Sequence, residues 1–170
     1  MKYYNCIPLL LLLTAYVNTV SAEDYIGATL GESSIDLDGY DQGFFYKAYG
    51  GIRSKYYGFE GAYLRLARFD LTEGNTGSIS TSGIEGSGVL FLPLSNNLEL
   101  FLKAGIFSWS ASGDFNGGLI PQNKGTDVTY GGGFQYSITE NFALRAEYQQ
   151  FKDVLGGEVT SPSLGIKYKL

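Results

Sequence analysis

Glu60, Lys103, Arg145 and Glu147 are charged residues set inside stretches that otherwise alternate between apolar and polar side chains. Two carboxylates and two bases of this kind point either to acid–base chemistry or to an ion-pair network, since a buried charge is tolerated only when paired or hydrated. Acyl transfer of the Ser-His-acid type needs an imidazole as base, and the chain contains no histidine. Ser108, Ser110, Ser112, Ser161 and Ser163 are available hydroxyls, but none sits in a nucleophile elbow. The chain therefore reads as a non-enzyme, and the four charges as a network that is structural or gating. Asp36-Leu-Asp-Gly-Tyr-Asp41, with Glu32 nearby, spaces carboxylates as Ca²⁺ prefers, yet the EF-hand order of ligands and glycine is not met. It reads as a solvated turn. Gly117-Gly118 and Gly156-Gly157 read as loop hinges, and no phosphate-cradling glycine motif is present. No metal or cofactor is expected.

The elements that must position the four charges are strands. In Phe142-Ala-Leu-Arg-Ala-Glu-Tyr-Gln149, Phe142, Leu144, Ala146 and Tyr148 project one way while Ala143, Arg145, Glu147 and Gln149 project the other. The same period recurs along the chain and predicts strands at 24–31, 43–53, 57–69, 79–92, 98–110, 126–137, 142–152 and 159–170. Arg53-Ser-Lys-Tyr56, Pro93-Leu-Ser-Asn-Asn97 and Ser137-Ile-Thr-Glu-Asn141 are tight turns rich in Ser, Asn and Pro. The connections near 32–42, 70–78, 111–125 and 153–158 read as loops, generally longer. Short turns at one end and long loops at the other are the asymmetry of an outer-membrane barrel, whose short turns are periplasmic. Both termini then lie on the periplasmic side.

Composition agrees. Residues 1–22 read as a signal peptide: Lys2 opens it, Ile7–Leu13 is apolar apart from Pro8, and Val20-Ser21-Ala22 is a small-residue cleavage pattern. Cys6 precedes the apolar core, where no lipid anchor would form, and leaves with the peptide. Residues 23–170 then form one domain without a cysteine to staple it, so stability must come from a closed, well-paired fold. After the signal, 11 bases face 17 acids, which speaks against a nucleic-acid partner. No later segment offers the roughly 18 consecutive apolar residues of a membrane helix, so a bilayer span must use strands.

Period 2 defines two faces without saying which meets lipid. A secreted soluble lipocalin-like barrel turns its apolar face inward around a ligand and leaves Lys103, Arg145, Glu147, Lys167 and Lys169 in water. Two features favour the membrane. Leu98, Leu100, Leu102, Ala104 and Ile106 make one apolar stripe as tall as a bilayer core, and Tyr57, Phe59, Phe69, Phe142 and Tyr168 cluster near strand ends like headgroup girdles. Glu60, Lys103, Arg145 and Glu147 then point into the lumen.

Three segments carry a family resemblance: Leu92-Pro-Leu-Ser-Asn-Asn-Leu-Glu-Leu-Phe-Leu-Lys-Ala-Gly105, Gly131-Gly-Gly-Phe-Gln-Tyr-Ser-Ile-Thr-Glu-Asn-Phe-Ala-Leu-Arg-Ala-Glu-Tyr148 and Leu164-Gly-Ile-Lys-Tyr-Lys-Leu170. The chain resembles the transmembrane domain of the OmpA-like outer-membrane proteins, over essentially everything from Tyr25 onwards. The resemblance implies an all-β, eight-stranded antiparallel up-and-down transmembrane β-barrel in the outer membrane of a Gram-negative bacterium. It also implies a monomer bathed in outer-membrane lipid and lipopolysaccharide, read by the barrel-assembly machinery through its C-terminal strand, with an extracellular partner met by the loops. In the family, comparable residues form alternative ion pairs thought to gate a small pore, and Glu60, Lys103 and Arg145 fall on matching positions. Three departures stand out. Leu170 replaces the usual terminal aromatic, Val89 and Gln135 stand where relatives can place a lysine and a glutamate, and the peptidoglycan-binding domain of larger members is not expected. The leading expectation is a structural, surface-interacting scaffold with a mostly closed polar lumen; the alternative is a narrow porin-like channel for ions or small solutes.

Overall fold

A computed structural model of the chain describes residues 22–36, 43–70, 77–115, 118–154 and 156–170. The expected signal peptide lies, apart from Ala22, outside the described residues, as does most of the Asp36–Asp41 segment. Eight strands follow in order: β1 (Glu23–Ile35), β2 (Gly43–Arg53), β3 (Tyr57–Asp70), β4 (Gly77–Pro93), β5 (Leu98–Phe115), β6 (Gly118–Ser137), β7 (Phe142–Val154) and β8 (Gly157–Lys169). Each pairs antiparallel with its sequence neighbours, and β1 pairs with β8 from Tyr25↔Lys169 to Ile35↔Val159, so the sheet closes into a barrel. Closure removes the edges that a cysteine-free sheet would otherwise leave unpaired.

The register sets the barrel's shape. Following Lys124↔Ser110↔Ser82↔Arg65↔Tyr46↔Leu30↔Leu164↔Ala146↔Phe134 once around returns to β6 ten residues from the start. Eight strands with that stagger tilt by about 40° to the barrel axis, which leaves an interior just wide enough for side chains to fill.

The turns are built by side-chain oxygens. Ser95 Oγ accepts from the backbone N–H of Leu98 at 3.1 Å, and Thr139 Oγ1 accepts from that of Phe142 at 3.0 Å, the same device in two successive hairpins. Asn97 and Asn141 then each donate a side-chain N–H to a carbonyl of the next strand, on Ser137 and Lys169, tying neighbouring turns together. This end of the barrel is blunt.

The other end differs from the sequence reading. The span 111–125, expected as a loop, is mostly strand: β5 and β6 pair from Leu98↔Tyr136 up to Phe115↔Gly118, with a register shift at Ala111/Gly113. Likewise β1 extends to Ile35, and β7 and β8 approach through Val154↔Gly157. The 20 residues of β6 rise about 50 Å at ~3.3 Å per residue and this tilt, against a hydrocarbon core of about 30 Å. The strand pair is longer than the hydrocarbon core is thick. Polar, Gly-rich and Ser-rich composition is common to loops and to strands in water, so period alone did not separate them.

Candidate functional site: the charged layer of the lumen

Burial alternates along the strands, wherever their side chains are described, as the two-face reading requires. Ile26, Leu30, Ile52, Ile84, Leu102, Ile106, Phe134, Leu144, Leu164 and Ile166 are all exposed on the outer wall. Tyr57, Phe59, Phe142 and Tyr168 are exposed there too, and the side chain of Phe69 lies outside the described set. Glu60, Lys103, Arg145 and Glu147 are all buried inside.

The structure brings these four together and adds two that sequence reasoning missed. Lys103 Nζ stands 2.7 Å from Glu85, 3.1 Å from Glu147 and 3.3 Å from Glu60. Arg145 donates to Glu60 at 2.7 Å through Nη1, and its Nε lies 3.0 Å from Glu147. Lys47, on β2, donates to Glu147 at 2.6 Å and to the side-chain carbonyl of Gln149 at 3.2 Å. Gln149 turns its N–H groups to Glu85 at 2.7 Å and to Thr129 Oγ1 at 2.8 Å, while Ser87 donates to Glu85 as well. Three acids and three bases thus balance, each within salt-bridge distance of an opposite charge, as burial demands.

Lys47 had a legible signal and Glu85 did not. Lys47 shares its face with Phe45 and Tyr49, one strand-period away on either side, and both are buried. Glu85 sits in Ser-Gly-Ile-Glu-Gly-Ser, where glycine and serine occupy both faces and blur the alternation.

Apolar clusters flank this charged layer on both sides, beside buried hydroxyls such as those of Thr29, Ser33, Thr81 and Ser161, so the lumen is of mixed polarity. Toward the turns lie Tyr25, Tyr49, Val89, Phe91 and Phe101. Toward the loops lie Phe45, Leu64, Leu66, Phe107, Trp109, Ala111, Phe151, Val154 and Val159. The order repeats along single strands: Phe45, Lys47, Tyr49 on β2, and Phe101, Lys103, Phe107 on β5. The Arg145 guanidinium stacks over Phe101 at 4.1 Å and Tyr49 at 4.5 Å, so the aromatic layer also contributes to holding the charge. Val89 joins that aromatic layer. Gln135 belongs to a second polar cluster at the turn end, where it donates to Glu99, itself gripped by both Arg53 nitrogens at 2.8 Å.

A family model described as "Outer membrane protein beta-barrel domain" matches residues 7–169. The chain belongs to that family. It is an OmpA-like outer-membrane barrel, resident in the outer membrane, with its apolar wall in lipid and its charges inside. It is 31% identical to Outer membrane protein A of Salmonella typhi over 143 residues, which is 74% of this chain and 40% of that protein. Against the Shigella flexneri protein the figures are 30%, 72% and 39%. The chain therefore spans about two fifths of the length of these curated relatives. Among solved structures, Neisserial surface protein A superimposes with a TM-score of 0.68 at 19% identity, covering 88% of this chain and 97% of that one. Ail, the attachment invasion locus protein of Yersinia pestis, gives 0.61 at 18%, covering 88% and 97%. At those identities the likeness is one of fold. The outward apolar belt and the family together decide against a soluble lipocalin-like barrel.

Proposed function

We propose that the protein is a closed, monomeric outer-membrane scaffold whose role is structural and surface-interacting. The observation that carries this reading is the neutral six-charge layer flanked by two apolar clusters. An ion crossing the lumen would have to displace paired charges and then pass Phe107, Phe151 and Leu64 with only a few hydroxyls, such as those of Thr81 and Thr129, to replace its water, a desolvation that narrow barrels do not offset. Planar-bilayer recording of the purified barrel tests it: no conductance steps above background are expected, and reproducible steps in the unmodified protein would end the reading. A second reading, a narrow gated channel, is favoured by one feature. Lys103 lies within 3.3 Å of three carboxylates, so it can change partner without leaving the layer.

The surface partner remains a matter of charge. Ail has been crystallised with the heparin analogue sucrose octasulfate. In this chain the segments predicted at the loop end carry Glu32, Asp36, Asp38, Asp41, Asp70, Glu73 and Asp114, a surface that repels polyanions. A basic or neutral partner suits it better. Recognition of β8 by the barrel-assembly machinery is part of the same proposal.

A further inference from the structure

The periplasmic mouth holds a second set of polar groups that the charged layer does not use. A recess of about 210 Å³ opens between the blunt turns, lined by Arg53, Glu99, Gln135, Lys167, Lys169 and Glu23 among others. Its volume would hold several waters or one ligand the size of an amino acid. Two of its lining groups are almost fully buried and have hydrogen-bonding capacity to spare. Gln135 is 4% exposed, and its Oε1, which has almost no accessible surface, has no hydrogen-bond partner among the described residues, so a ligand reaches it by a small outward shift of the recess wall. That orientation is imposed: Nε2 donates to Glu99, and Glu99 is fixed by two bonds from Arg53, so a flipped amide would set oxygen against oxygen. Lys167 is 6% exposed, and the nearest carboxylate oxygen, on Glu23, is 4.0 Å away, beyond hydrogen-bond reach. Glu23 is instead engaged by Lys169 at 2.9 Å.

Arg53 is neutralised by Glu99, and Lys169 by Glu23. What remains at the inner wall is one ammonium with donors to give and one amide oxygen with lone pairs to fill. We infer that this recess is a binding site for a small carboxylate that carries an N–H donor beside it, the chemistry of an N-acylated amino acid or the C-terminal end of a peptide. The carboxylate takes the place opposite Lys167 and the N–H donates to Gln135 Oε1. The site faces the periplasm and is independent of whether the lumen conducts.

The test is a titration of the refolded, isotopically labelled full-length barrel in detergent micelles, followed by backbone amide resonances. N-Acetylglycine supplies both groups, acetate the carboxylate alone, and N-methylacetamide the amide alone. N-Acetylglycine is expected to give saturable shifts at Gln135 and Lys167, acetate to bind about fivefold more weakly, and N-methylacetamide to show no saturation. Lys167→Met is expected to abolish binding, and Gln135→Leu to bring N-acetylglycine down to the level of acetate. Glu23→Gln, which removes the competing carboxylate while keeping a side chain of the same size on the recess wall, is expected to tighten binding severalfold. Heat-modifiable gel migration confirms that each variant folds. A recess filled by water alone, with no saturable shift from N-acetylglycine, overturns the assignment. So does binding that Lys167→Met or, should that variant not fold, Glu23→Gln leaves unchanged.

Discussion

Leu102 and Lys103 are adjacent on β5 and live in different solvents. Leu102 faces lipid, 47% exposed, while Lys103 is 4% exposed and touches three carboxylates. Most of the glycines divide along the same boundary, Gly132 on the outer wall being an exception, 2.8 Å from the Phe101 carbonyl oxygen. On the lumen side, a Cβ added at Gly105, Gly131, Gly133 or Gly165 would come within 1.9–2.5 Å of a backbone carbonyl oxygen on the neighbouring strand. On the lipid side, one added at Gly61 or Gly86, which pair with each other, would meet nothing within 4 Å. The inner wall is a packed protein core turned toward polar chemistry, and its glycines are required by close backbone approach. The outer wall is chiefly a surface that hydrocarbon must wet.

That contrast makes four substitutions informative, each followed by urea unfolding of the barrel in phospholipid vesicles. Lys103→Met removes the ammonium shared by Glu60, Glu85 and Glu147 and leaves buried negative charge uncompensated; a loss of about 3–5 kcal/mol is expected. A loss under about 1 kcal/mol would mean that the layer is hydrated rather than paired. Leu102→Arg, one residue away, puts a cation into the apolar belt at an expected cost of about 2–4 kcal/mol near the bilayer midplane. If it proved neutral, the inside and outside assigned to β5 would be exchanged. Gly133→Ala forces a methyl against the Ala146 carbonyl and is expected to cost about 1–3 kcal/mol, the usual penalty of overpacking. Gly86→Ala has room for its methyl and reduces the freedom of the unfolded chain, so a gain of about 0.5–1 kcal/mol is expected. Equal costs for the two glycine substitutions would abolish the distinction between the walls.

Much of this arrangement was legible in the residues. Alternation placed Glu60, Lys103, Arg145 and Glu147 on one face, and all four are in the lumen. The turns at Leu94–Asn97 and Ile138–Asn141 were readable because Ser95 and Thr139 bond to nearby backbone, a purely local interaction. Lys47 and Glu85 escaped notice for different reasons, one overlooked among aromatic neighbours and the other hidden in a Gly- and Ser-rich strand. The long β5–β6 pair was unreadable because strands standing in water need no apolar face.

Sequence by itself determined that the chain makes two-faced strands joined by short turns, and that its charges share one face, because strand period and turn chemistry act over a few residues. The family likeness, also in the residues, chose lipid for the other face. Only the closed tertiary structure decided which charge meets which, and that aromatic and aliphatic clusters flank them. Period 2 specifies a side chain's face but not its height or its position around the barrel. Those follow from the ten-residue stagger, a property of all eight pairings together, which brings Lys47 and Glu147 within 2.6 Å although 100 residues separate them in the chain.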